Sequence, residues 1–394
     1  MDLDTFRWLL TEQGQSLLVQ ATHAYADAEG DPLRAAAALR RTEQDPDRAS
    51  AALSQVELRV RAYGKFGQDA VRMYFTHDAL EQATRRRVAD HRAARLAAAQ
   101  PSSVVDLGCG IGGDLLAFSR AGLTAAGVER DPLRAAIAEA NLHALGLAGA
   151  VLAADATELD LAGFGAAFLD PARRGARGRV FDEEGWTPPW SFVRQVLTGT
   201  AAVKVAPGIS HDLVPPGVEA EWVSEEGEVK EAVLWSPDLA TDTRRATVIT
   251  GGGLASLSTE DDPYEGRERP VRELGKYLYE PDGAVIRAGL VTAVAAGVDG
   301  GLLDPLIAYV TSDQSFRSPF TRSYVVLEEL PFREKQLRAA LVARGVGPIT
   351  IKKRGVNVVP EQLRKRLALT GDQEATVVLT RVDGVGRALL VKPF

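Results

Sequence analysis

The chain has 394 residues, 45% hydrophobic and 25% charged, with a formal net charge of −7. That composition describes an ordinary globular protein, and the length calls for two or more domains. No apolar run approaches the roughly 18 residues of a membrane span and the start lacks a basic, apolar leader, so no membrane association and a cytoplasmic location are expected. The single cysteine, Cys109, excludes an internal disulfide, and five scattered histidines offer no zinc spacing, so no metal is expected either.

Residues 1–100 read as a helical region. Stretches such as DPLRAAAALRR and HDALEQATRRRVADHRAARLAAA carry apolar residues at three- and four-residue spacings. Pro101 ends that pattern. From residue 101 to about 250, short apolar runs (SVVDLG, TAAGVE, AVLAAD, AAFLD, AAVKV) alternate with helical segments such as PLRAAIAEANLHALG. Strict alternation implies βαβ units and a doubly wound parallel sheet of the Rossmann-like kind. Two later runs, VKEAVLWS and RRATVIT, are expected to pair as a hairpin across PDLATDT. Residues 251–310, with a glycine triplet and a helical AVIRAGLVTAVAAG, read as a connecting subdomain. Residues 311–394 follow the order β-α-β-α-β-β, a compact α+β domain. This last segment holds 15 Lys and Arg against 8 Asp and Glu, so it is basic on an otherwise acidic body. Such an asymmetry suits either a polyanionic partner or a solvated surface.

The stretch VVDLGCGIGGD, Val104 to Asp114, satisfies G-x-G-x-x-G through Gly108, Gly110 and Gly113. Glycines there let backbone N–H groups approach a ligand but do not say which. A dinucleotide needs a pyrophosphate cradle, which Asp106 and Asp114 would repel. S-adenosylmethionine carries a sulfonium and an ammonium, which those acids tolerate. Glu129, ending the second strand in GVERDP with Arg130 beside it, suits two ribose hydroxyls. In AADATEL, Asp155 and Ala156 are placed for an adenine edge, or Asp155 caps the following turn. In FLDPARRG, Asp170 and the Pro171 carbonyl suit hydrogen bonds to an acceptor amine.

Together, VVDLGCGIGGD, GVERDP, AADATEL and FLDPARR resemble the class I S-adenosylmethionine-dependent methyltransferases over about Ser102 to Thr250. The resemblance implies S-adenosylmethionine as cofactor. It places the methionine portion at Asp106, Gly108, Cys109, Gly110 and Gly112, with Asp114 beside them, ribose at Glu129, adenine at Asp155, and the methyl acceptor beside Asp170. Methyltransferases acting on base amines often carry Asp-Pro-Pro followed by an aromatic; here Ala172 and Arg173 stand instead, so stacking would come from Phe75, Phe181, Trp186 or Trp190, unless these are core aromatics. Arg173 and Arg174 either grip an acceptor phosphate or carboxylate, or pair with Asp182, Glu183 or Glu184. Transfer to a pyrimidine C5 needs a cysteine nucleophile, and Cys109 lies in the cofactor loop.

Tyr63 to Ala93 resembles the region preceding the core in trimethylguanosine synthase-like enzymes, which would turn Phe75, Thr76 and Gln82 toward the donor. The C-terminal segment resembles THUMP-like domains found after a methyltransferase core in bacterial proteins. True THUMP domains bind structured RNA, so the likeness implies an RNA partner, with Lys352, Lys353, Arg354, Arg364, Lys365 and Arg366 as the phosphate-facing group. The expected activity is methyl transfer to RNA, at a tRNA or rRNA base. The alternatives are a small-molecule or protein methyltransferase, a non-catalytic RNA-binding adaptor, and a nicotinamide dehydrogenase.

Overall fold

The computed structural model describes residues 1–173, 186–264, 270–382 and 384–394. Its backbone divides into two compact units.

The first unit holds residues 1–205, 215–218 and 234–240. It begins with six helices: α1 (Leu3–Leu9), α2 (Glu12–Asp27), α3 (Pro32–Leu39), α4 (Pro46–Phe66), α5 (His77–Gln82) and α6 (Arg86–Ala98). There follow β1 (Val104–Leu107), α7 (Gly113–Arg120), β2 (Ala125–Glu129), α8 (Pro132–Leu145), β3 (Ala150–Ala153) and β4 (Ala166–Leu169). Next come the two-residue strands β5 (Ala172–Arg173) and β6 (Trp186–Thr187), then α9 (Trp190–Val196) and β7 (Ala201–Val205). The repeated D-P-L-R-A of the sequence has one physical meaning at both places. Asp31 and Asp131 cap α3 and α8 by accepting from the next free N–H groups, and a proline follows at the first helical position, where no N–H is needed. The strands run in the order β7-β4-β1-β2-β3, with β1, β2, β3, β4 and β7 parallel. This is the expected α/β sheet, and register aligns the carboxyl ends: Leu107 lies opposite Val128 and Leu169, and Leu169 opposite Val203.

The second unit holds residues 206–214, 219–233 and 241–394. Its strands β8 (Glu219–Glu225), β9 (Glu228–Trp235), β10 (Arg244–Thr250) and β11 (Gly253–Ser258) stand in the order β11-β10-β8-β9, and the last residues of β9, Leu234 and Trp235, belong to the first unit. The expected β9–β10 hairpin does not form. Instead β8 turns into β9 through Glu226 and Gly227, both with positive φ, and β10 pairs with β8 in parallel and with β11 antiparallel. The alternation of β8 was hidden because buried glutamates occupy it: Glu219 and Glu221 are both 0% exposed. Glu219 takes Arg245 and the Thr241 N–H, while Glu221 accepts from the Thr247 hydroxyl.

Next come β12 (Tyr277–Pro281), α10 (Gly283–Ala288), α11 (Val291–Gly297), β13 (Gly301–Asp304), β14 (Ile307–Ser312) and β15 (Thr321–Leu330). The chain ends with α12 (Glu334–Ala343), β16 (Val346–Lys353), α13 (Pro360–Leu367), β17 (Gln373–Val382) and β18 (Val385–Pro393). From β15 onward the expected β-α-β-α-β-β order is present, and β12, β13 and β14 join it in one seven-stranded sheet, β13-β14-β12-β15-β18-β17-β16. Leu337, Leu341, Leu363 and Leu367 of the two helices bury against Val377 and Leu379 of the sheet, which fixes that face.

Candidate functional site

Three glycines shape the loop after β1. Gly108, Gly110 and Gly112 all have positive φ, and Gly112 ends the loop in the left-handed conformation that starts α7. A Cβ at Gly108 or Gly110 would meet nothing within 4 Å, so the chain leaves open space there. The loop is pinned from below by Glu129, whose Oε2 accepts the Gly110 N–H at 2.9 Å and whose Oε1 accepts the Asp131 N–H at 2.9 Å. Both carboxylate oxygens keep acceptor capacity for hydroxyls.

Asp106, next to last in β1, is 1% exposed, and its Oδ2 has no hydrogen-bond partner among the described residues. Burial pushes its carboxyl up to about 8, and the charges of Asp170 and Glu129 add to the rise against Arg92 and the Leu115 N–H. A buried carboxyl with a bare oxygen beside an open glycine loop fits a cationic amino-acid ligand. Cys109 is 7% exposed; burial drives its thiol well above the ordinary value, which makes it inert packing.

Not every expected cofactor residue faces that space. Asp114 turns inward, taking the Thr84 hydroxyl at 3.0 Å and the guanidinium of Arg92, itself 1% exposed and stacked on Phe168 at 4.5 Å. Asp155 takes the capping arrangement. Its Oδ1 accepts the Thr157 N–H at 2.9 Å and the Thr157 hydroxyl at 2.7 Å, which holds its carboxyl below the usual range, and Oδ2 stands 3.9 Å from the exposed Arg130. Ala156 lies in the same short turn.

Asp170 follows β4, and Pro171 is buried next to it. Arg173 lies in β5, whose backbone pairs with Trp186, while Arg174, Phe181, Asp182, Glu183 and Glu184 lie outside the described residues. Trp186 and Trp190 are core aromatics, 5% and 2% exposed, with ring centroids 5.1 Å apart. Phe75 is fully buried against Phe66, its backbone held by Gln55, so it offers no ring for stacking. Thr76 caps α5, and Gln82 is exposed at the end of that helix.

Four residues outside the sequence reading complete the arrangement. Lys204, at the end of β7, binds Asp170 Oδ2 at 2.6 Å and Thr84 Oγ1 at 3.2 Å. Arg92 and Thr84 reach in from the helical region. Asn141 of α8 is fully buried and ties Tyr74, through both its N–H and carbonyl, to the Ile111 carbonyl of the glycine loop. The only sequence signal was a lysine inside the apolar run AAVKV.

In the second unit the basic group separates. Lys352 turns onto Glu280 at 2.5 Å and lies over Tyr324; Arg354 lies over Tyr309. Arg364 donates to the Ile349 carbonyl, and Arg366 pairs with Glu334. Lys353 and Lys365 are exposed. Among the described residues no helix is long and apolar enough to cross a membrane, and no group of three or more His, Cys, Asp or Glu could hold a metal ion.

A parallel β3-β2-β1-β4-β7 order with a glycine loop after β1 and carboxylates at the ends of β1, β2 and β4 is the arrangement of S-adenosylmethionine-dependent methyltransferase cores. The chain belongs to that family: it is 38% identical over 336 residues to uncharacterized S-adenosylmethionine-dependent methyltransferases of Mycobacterium tuberculosis strains CDC 1551 and H37Rv, covering 82% of this chain and 90% of each relative. Its cofactor is S-adenosylmethionine. A solved structure of a candidate methyltransferase from Porphyromonas gingivalis W83 shares the fold, with a TM-score of 0.74 at 23% identity over 96% of this chain and 98% of that one. A family model described as THUMP domain-like matches residues 321–393, and one described as a domain of unknown function matches residues 2–62.

Proposed function

We propose that the protein methylates RNA, at a base of tRNA or rRNA. Residues 101–250 carry the transfer site and residues 311–394, whose sheet β12, β13 and β14 extend, dock the substrate; residues 1–100 are the helical part and the rest of 251–310 the connecting part. S-adenosylmethionine supplies a methyl group already activated on sulfur. The Asp106 carboxyl and the loop Gly108 to Gly112 receive its amino-acid portion, with Cys109 packed beneath. Glu129 accepts ribose hydroxyls, and the turn that Asp155 caps through Oδ1, with Ala156 in it and Arg130 alongside, borders the adenine. Asp170 and the Pro171 carbonyl accept hydrogen bonds from the methyl acceptor and hold it in line, since transfer from sulfonium is mostly a matter of positioning. Arg173 and Arg174, following directly, suit a phosphate.

The observation that carries the RNA reading is the THUMP domain-like match on the basic end of the chain, residues 321–393. Lys353, Arg364, Lys365 and Arg366 are among its exposed cations, and Lys352 and Arg354 are buttressed against acid and ring. Phosphate contacts of this kind position a substrate without reading its bases. Mass spectrometry of RNA nucleosides from cells with and without the protein tests the reading: one methylated nucleoside should disappear. An unchanged nucleoside profile, with label from the donor entering protein or metabolites instead, would overturn it.

A further inference from the structure

We infer that Lys204 is a positioning residue for methyl transfer, and that the helical region completes the transfer site through Thr84. This rests on the reading of Asp170 as the acceptor-side carboxylate.

The hydrogen bonds run in one direction. Lys204 donates to Asp170 Oδ2 at 2.6 Å and to Thr84 Oγ1 at 3.2 Å; the Thr84 hydroxyl, having accepted, spends its one proton on Asp114 Oδ2 at 3.0 Å; Arg92 closes the chain on Asp114 Oδ1. Exposure falls along it. The Asp170 side chain is 36% exposed, Lys204 16%, Asp114 8% and Arg92 1%. The buried end is therefore anchored by a fully enclosed ion pair, and the open end is the carboxylate at the strand edge.

Among the described residues only Oδ2 of Asp170 is taken, so Oδ1 is the oxygen left for a substrate. A carboxylate held at one oxygen by a charge-assisted bond cannot rotate away, and the free lone pairs of the other keep a fixed direction. A simple half-buried salt bridge would need neither the second bond to Thr84 nor a place on the ligand edge. Thr84 lies 120 residues from Lys204 in the chain. The helical region therefore reaches the reacting edge itself.

The test uses full-length protein and labelled S-adenosylmethionine with an extract of cells lacking the protein, varied in concentration and separated into RNA, protein and small-molecule fractions. Lys204→Met should leave donor affinity by calorimetry and the half-saturating extract concentration within about 3-fold while lowering the maximal rate about 100-fold, the scale of a misplaced reacting group. Lys204→Arg should recover at least tenfold of that loss. Thr84→Ser should behave as wild type and Thr84→Val should lose about tenfold. In an Asp170→Asn background, Lys204→Met should add nothing, because the two act as one unit.

Label entering a fraction other than RNA would sink the RNA reading and leave the Lys204 comparison to run on that fraction. An unchanged rate in Lys204→Met, a loss confined to donor affinity, additive losses with Asp170→Asn, or no labelled fraction at all in wild type would each overturn the inference. Should Lys204→Met fail to fold, Lys204→Arg and the two Thr84 variants carry the same comparison.

Discussion

Replacing Asp106 with asparagine should make the ligand-free protein less sensitive to pH while destroying donor binding. The carboxyl sits at 1% exposure with one bare oxygen, and its affinity for a proton rises from 3.8 to about 8. A group raised this way binds more protons folded than unfolded across that interval, so stability falls as pH rises from about 4 to 8 and levels off above. Each unit is worth about 1.4 kcal/mol, so about 4 kcal/mol of stability is lost between pH 4 and pH 7 from this one side chain. Asparagine does not titrate. Its amide nitrogen finds no acceptor where Oδ2 stood, a fixed cost of about 1–3 kcal/mol that shifts the whole curve without changing its slope. Urea unfolding of both proteins at intervals from pH 4.5 to 8.5 separates the two effects. The stability of Asp106→Asn relative to wild type should climb by a few kcal/mol across the range, and calorimetry should show no S-adenosylmethionine binding. Parallel stability curves, or a retained donor site, would refute the reasoning.

Other perturbations follow from the same region. A Cβ at Gly127 would stand 2.8 Å from both Cys109 Sγ and Leu115 Cδ2, so Gly127→Ala should cost about 1–3 kcal/mol by denaturant unfolding and weaken donor binding by displacing the loop. Asn141→Ala strands the Tyr74 N–H and two carbonyls in a fully buried site; a loss of about 2–4 kcal/mol is expected, with donor affinity falling alongside, and a neutral result would disprove the tie between α8 and the loop. The Cys109 thiol should react with a disulfide reagent only as fast as the protein unfolds, and Cys109→Ser should still bind the donor; rapid labelling of native protein would show the loop to be open.

The glycine loop and the strand ends of the candidate site could be read from the sequence because their information is local. Gly108 to Gly112 specify a turn, and Glu129 ends and Asp170 follows a strand that the alternation of apolar runs marks plainly. Residues whose meaning is set by a distant partner gave no such signal. Asp114 looked like a cofactor acid because it follows the glycines, yet its partners Thr84 and Arg92 lie 30 and 22 residues back in the helical region. Glu219 and Glu221 keep β8 from showing an apolar alternation, since a buried glutamate is recognisable only once Arg245 or Thr247 is known to face it. Lys352 reads as a phosphate ligand within its basic run, but its ammonium is held by Glu280, 72 residues away.

The same long-range contacts decide what the helical region is. An independent lid would meet the core through few, solvent-exposed contacts. Here Arg120 at the end of α7 binds both Asp69 and Asp90, Arg92 is buried against Asp114, and Asn141 holds Tyr74 by two hydrogen bonds. Lys65 in turn fixes the segment before Thr84 by donating to the Leu80, Glu81 and Ala83 carbonyls. Opening such a region would leave Arg92 and Asp114 unpaired, a loss of several kcal/mol with no ligand contact to offset it. The helices therefore act as a fixed wall beside Asp114 and the glycine loop rather than as a separately opening element.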